Sequence, residues 1–209
     1  MMPQSLRVNR EGWHQLMTAF GLSENDETYD SLLAAYSEKH RVYHTLEHIN
    51  ACFKHLDAVS QQATYLHEIE LALWFHDVIY KPFSSTNEED SAELAKSFLS
   101  RNSIEPKIIE RISQLITLTK DHAAPQTGDG KLMLDIDLSI LGAQKHIYAE
   151  FEKNVRKEYK QVPLFIFRKK RKEILKSFMS RPRLYHTAYF FDQLETQAKS
   201  NLTLAIANL

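Results

Sequence analysis

Apolar residues recur every three or four positions along most of this chain, the spacing that lines one face of an α-helix. Such segments cover residues 10–21 and 25–38, with Gly21 placed to end the first and Ser23 or Asn25 to start the second. Leu46, Ile49, Phe53, Leu56 and Val59 predict an amphipathic helix over 43–60, with His44 in its first turn. The apolar run Leu71-Ala72-Leu73-Trp74-Phe75 predicts a buried helix over 64–78. It should stop near Tyr80-Lys81-Pro82, because proline disfavours helical geometry in the residue before it. His76 and Asp77 then fall in its last turn. Lys81 to Asn87 reads as a loop, with Ser85 or Thr86 ahead of Glu88 and Glu89 as a helix start. Helices follow over 87–101 and 105–119, then a loop, Gln126 to Lys131, and a helix carrying Asp137 with a break near Gly142. Long helices are expected near 143–160, 164–179 and 185–207.

Composition strengthens this reading. Five glycines and six prolines in 209 residues are too few for a turn-rich β architecture, so the expected class is all-α, a bundle of nine or ten helices. No segment reads as a linker, which predicts one domain over 1–209: a core at about 40–142, with helices 10–38 and 143–207 packed onto it. The net charge of −1 gives no global reason to expect nucleic acid or an anionic membrane. The basic run Arg168–Lys172, with Arg181 and Arg183 beyond, reads as a solvated face, with RNA or an acidic substrate as the sharper alternative. Cys52, the single cysteine, excludes an intramolecular disulfide and, with no evident His partner, reads as core packing. No apolar leader occurs in Met1–Arg10 and nowhere do eighteen apolar residues run together, so a soluble cytoplasmic protein is expected, with a homodimer left open.

Candidate chemistry centres on His76-Asp77. Ten His and ten Asp would give about half such a pair by chance, so the dipeptide alone says little. Its setting says more, because it ends an apolar helix. Upstream, His44 and His48 are four apart and share a face if that segment is helical. Downstream, Asp135 and Asp137 are threaded through an apolar stretch, where an unpaired carboxylate would be costly. A divalent cation would partner all of these, and the mixed nitrogen and oxygen donors suit Mn, Fe, Co, Ni or Zn better than Ca. Each residue also has a plainer reading: His76 complementing a helix C-terminus, His44 bonding backbone, His48 a satisfied core histidine, Glu88 an N-terminal helix acid, His122 a loop residue and Arg156 a surface ion pair. Gly-rich phosphate loops and Gly-x-Ser-x-Gly elbows are absent from the sequence.

The order Arg41-x-x-His44, then His76-Asp77, then Asp135-x-Asp137-Leu138 resembles the HD superfamily of metal-dependent phosphohydrolases. Tyr43-His44-Thr45-Leu46-Glu47-His48, Asn87-Glu88-x-x-Ser91-Ala92, Val155-Arg156-Lys157-Glu158-Tyr159 and Ala198-Lys199-Ser200-Asn201-Leu202 are similar to one bacterial subfamily, so the resemblance spans about 10–205. It implies an HD-type bundle in which His44, His76, Asp77 and Asp137 hold one divalent ion, or two, Mg being a further candidate. Asp135 becomes a helix cap or a supporting partner. The implied activity is cleavage of a small phosphate ester, a nucleotide or nucleotide derivative, by metal-activated water. Asp77, Glu88 and His48 would serve the proton transfers or orient the water, and Arg41, Lys120, His122 and Arg156 would meet the phosphate. A di-iron oxygenase using His48 and His122 as extra ligands, and a nucleotide-sensing module without turnover, are the rival expectations.

Overall fold

A computed structural model describes residues 7–122 and 125–209. Residues 1–6 of the stretch read as lacking a leader, and 123–124 of the loop after residue 119, lie outside the described residues. The described residues are helical throughout, without a strand: α1 (Arg10–Ala19), α2 (Asp26–Tyr36), α3 (Leu46–Val59), α4 (Leu66–Phe75), α5 (Asn87–Arg101), α6 (Pro106–Leu118), α7 (Gly128–Asp137), α8 (Lys145–Glu158), α9 (Leu164–Met179) and α10 (Ala188–Asn208). The all-α class expected from the periodicity is therefore present. No helix among them is long and apolar enough to cross a membrane. The chain divides into two compact units, Met1–Leu134 and Asp135–Leu209, the division falling within α7.

In the first unit α4 is the central helix, touching α1, α3, α5 and α6. Every residue from Glu68 to Phe75 is buried, as a helix apolar on all sides requires. Its two acidic residues survive there because each has a cation: Arg111 grips Glu68 with two nitrogens at 2.8 and 2.5 Å, and Arg7 reaches Glu70 at 2.6 Å. Burial still pushes the Glu70 carboxyl up, against the pull of Arg7. Trp74 anchors the aromatic core, edge-on to Trp13 at 5.8 Å and to Tyr29 at 5.9 Å, and its carbonyl accepts from the Tyr36 hydroxyl at 2.9 Å.

In the second unit α10 packs on α8, α9 and a 3₁₀ turn at Leu138–Gly142. Two buried carboxylates organise the entry to α10. Glu195 accepts from the backbone N–H of Leu184 and Tyr185 at 3.0 and 3.2 Å, and Asp135 from those of His186 and Thr187 at 2.8 and 2.7 Å. Four successive N–H groups are thereby satisfied, those of Leu184 and Tyr185 buried and those of His186 and Thr187 partly so. Gly142 is required by close approach. A Cβ there would lie 2.5 Å from Leu194 Cβ, 2.9 Å from Leu194 O and 3.0 Å from Tyr185 Oη. Gly142→Ala should therefore destabilise by about 1–3 kcal/mol, the usual cost of overpacking, read as a lower urea midpoint. An unchanged midpoint would mean that α10 can shift at no cost.

Candidate metal centre

The first unit builds a cluster from two segments that flank its core. Thr45 caps α3 through its hydroxyl, which accepts from Glu47 N at 3.3 Å. His44 therefore lies in the turn before the helix and not in its first turn as expected, while His48 sits in that first turn, buried. α4 ends at Phe75, so His76 is its C-cap residue and Asp77 lies in the turn beyond. This differs from the expected last-turn placement, and the cause is visible. Arg41, with its side chain wholly buried, donates to the carbonyls of Asp77 at 2.6 Å, Val78 at 2.8 Å and His44 at 3.3 Å, and to Glu38 Oε2 at 2.9 Å. The carbonyls after the helix turn to that guanidinium. Arg41 thus fastens the His44 turn to the Asp77 turn. All three of its nitrogens donate within the fold and its side chain is buried, a use different from the phosphate contact expected of it.

Three donor atoms converge as a result. Nε2 of His48 and Nε2 of His76 are 3.2 Å apart, and Oδ2 of Asp77 lies 3.2 Å from His76 Nε2 and 3.6 Å from His48 Nε2. Ligand atoms around a first-row divalent ion, at the usual bond lengths near 2.1 Å, stand about 3.0–3.4 Å apart, so both separations from His76 Nε2 fit and the 3.6 Å one between His48 and Asp77 would have to close slightly. Both histidines belong to a group of side chains close enough together to hold a metal ion. The tautomers fit as well. His76 Nδ1 is 2.9 Å from Leu73 O, and a carbonyl only accepts, so in the neutral ring the proton is on Nδ1 and the Nε2 lone pair faces the cluster. His48 Nδ1 is 3.1 Å from Tyr43 Oη, which can donate or accept. With a proton at its centre, His48 Nε2–H donates to His76; with a metal, His48 moves that proton to Nδ1 and Tyr43 accepts it.

His44 joins electrostatically, its ring stacked on Tyr80 at 4.2 Å between centroids and 6.1 Å from that of His48. Burial alone would raise the Asp77 carboxyl, but His76, His44 and His48 together hold it well below the ordinary carboxylate range. Glu88, half-buried in the first turn of α5, is shifted the other way, up, by burial and then by the charge of Asp77. An anion is thus fixed at the cluster and a more basic carboxyl is held within its field.

The remaining candidates are placed as follows. Lys120 pairs with Glu89, next to Glu88. His122, two residues on, holds a left-handed backbone with φ of 46°. Arg156, in the second unit, donates to Tyr159 O at 2.5 Å and Val162 O at 3.0 Å, so its guanidinium closes the turn between α8 and α9, a different use from the expected phosphate contact. Asp137 ends α7, half-buried, and Asp135 accepts from the backbone N–H of His186 and of Thr187, the N-cap residue of α10. Sequence reasoning missed Tyr43 and Tyr80. Cys52 is buried in the core as expected, but its Sγ also lies 3.7 Å from His48 Nε2, where no His partner was evident. The four-residue spacing of His48 and Cys52 on one helix was the available signal. No family model, curated protein or solved structure matches the chain.

Proposed function

We propose that the protein is a metal-dependent phosphohydrolase acting on a small phosphate ester, a nucleotide or nucleotide derivative by the resemblance. The observation that carries this is the convergence of His48 Nε2, His76 Nε2 and Asp77 Oδ2 within 3.6 Å. His44 stands beside them, and Asp137 is the further ligand that the resemblance implies. A divalent ion bound there would lower the pKa of water and polarise a phosphoryl oxygen.

The chain's own residues supply the rest. Leu73 O sets which His76 nitrogen would face the ion, and Tyr43 Oη is placed to accept the Nδ1 proton of a ligating His48. Asp77, ionised at any ordinary pH, contributes a permanent negative charge that attracts it. Glu88, with its carboxyl pushed up, is suited to take a proton from the attacking water and return it to the leaving group. Lys120, paired with Glu89 and within the field of Glu88, would offset charge on the phosphate.

The test is phosphate release from a panel of nucleotides and sugar phosphates by metal-loaded protein, chelated protein and Asp77→Ala. Turnover should require metal and vanish in the variant; a panel silent with every metal would sink the reading. One observation favours a second reading: His48 lies within the cluster, giving three imidazoles where the expected set had two. Such a nitrogen-rich site suits a di-iron oxygenase, for which two irons per chain and oxygen-dependent turnover would be diagnostic.

A further inference from the structure

The net charge of −1 conceals an uneven division. The unit Asp135–Leu209 has 14 Lys and Arg against 8 Asp and Glu, a formal +6, while Met1–Leu134 has 12 against 19, a formal −7. A strongly basic unit attached to an acidic one is an electrostatic footprint for an anionic surface. The positive charge is concentrated on α9, where Arg168, Lys169, Lys172 and Lys176 have no carboxylate partner among the described residues, whereas Lys170 and Arg171 are paired with Glu173 and Glu152.

The same helix begins with three apolar residues turned out to solvent. Phe165 is 74 % exposed, Leu164 49 % and Ile166 41 %. Residues 164, 165, 168, 169 and 172 are spaced to share one face, and they line one shallow depression. An apolar tip therefore passes directly into a basic stripe. Lys157 and Lys160, both exposed, precede the tip in the chain, Lys157 being paired with Glu150. The projection is held in place: Arg156 ties the Tyr159 and Val162 carbonyls and lies 4.9 Å from the ring of Phe167, which is buried. The backbone of the tip is therefore ordered before binding, which lowers the cost of docking.

We infer that this face docks peripherally on an anionic lipid bilayer, Leu164, Phe165 and Ile166 entering the headgroup and acyl boundary and Arg168, Lys169 and Lys172 meeting lipid phosphates. Two features favour lipid over other occupants. Nucleic acid would use the cations and could stack on Phe165, but Leu164 and Ile166 would gain nothing from it. A second copy in a two-fold interface would bring the same basic stripe against itself. A bilayer rewards both halves of the face, by burial and by charge.

The test is flotation of the full chain with vesicles of phosphatidylcholine alone or mixed with phosphatidylserine. Binding should require phosphatidylserine and weaken with salt. Arg168→Ala with Lys169→Ala should lower the partition coefficient about twenty-five-fold, at about fivefold per charge near the surface. Phe165→Ser should lower it by about tenfold or more. All three side chains are exposed, so the circular dichroism of the variants should match wild type. The inference is overturned if the wild type fails to float at low salt, or floats equally with neutral vesicles. It is also overturned if Phe165→Ser floats like wild type while a labelled RNA is bound through the cations, or if Phe165→Ser instead splits a dimer in solution.

Discussion

A first-row divalent ion should raise the melting temperature of the wild-type protein and leave that of His76→Ala unmoved. Anything that binds only the native state stabilises it, by about 2.7 kcal/mol at one hundred times Kd. For a chain of this length that is a rise of about 5–10 °C. His76 is buried, with Nδ1 spent on Leu73 O and Nε2 turned to His48 and Asp77, so its loss removes a donor that no neighbour replaces. Even groups that only orient a ligand cost 10–100-fold in metal affinity, so deletion of the ligand itself should cost at least about 100-fold. His76→Ala also leaves a cavity and starts from a lower melting temperature; Asp77→Asn, nearly the same shape, separates the effects and should lose the metal-induced rise alone. An equal rise in all three proteins would place the ion elsewhere.

The pH dependence has a definite sign. Burial opposes ionisation of Asp77, but His76, His44 and His48 outweigh it and depress the folded-state value. A depressed carboxyl contributes stability above its unfolded value, near ~4, and that stability is lost as the pH falls toward the folded value. The acid limb of the metal-free stability curve should therefore flatten in Asp77→Asn. Metal binding weakens on acidification for a different reason, because imidazoles must be neutral to ligate.

The helices were legible because their cause is local. Apolar spacing and proline put nine of the ten within a few residues of their observed bounds, whereas α7 starts at Gly128, inside the stretch Gln126–Lys131 expected as a loop; Gly21, in the left-handed region at φ of 70°, ends α1 where expected. The carboxylates were legible in kind: Asp135 sits in an apolar stretch and does have dedicated partners, two backbone N–H groups and the Thr187 hydroxyl. What escaped was anything fixed by partners far along the chain. Tyr43 and Tyr80 look like ordinary aromatic residues until folding sets one against His48 and the other against His44. The turn geometry of His44 and Asp77 likewise depends on a guanidinium reaching 36 residues along the chain, which no periodicity encodes. His48 was ambiguous for the same reason, since its spacing permits a core histidine and only its contacts reveal a donor.

That guanidinium supports the other large prediction: Arg41→Met should cost about 3–5 kcal/mol of stability, the usual loss when one partner of a buried charged network is removed. Its fork serves three carbonyls and one carboxylate, and the ring of Tyr36 at 5.3 Å and that of Tyr80 at 5.4 Å enclose it. Methionine fills much of the volume but leaves the Asp77 and Val78 carbonyls without their donor, each at about 1–3 kcal/mol. Arg41→Lys isolates geometry from charge. A lysine keeps the cation but is a point donor, unable to span carbonyls on both turns at once. It should lose part of the stability and, because the His44 and Asp77 turns are no longer pinned to each other, part of the metal affinity. A residue whose work was to meet substrate phosphate would behave differently, raising KM with the urea midpoint and metal affinity unchanged. Measured together for Arg41→Lys, midpoint, metal affinity and KM decide between the two roles, and a shift confined to KM would refute the clamp.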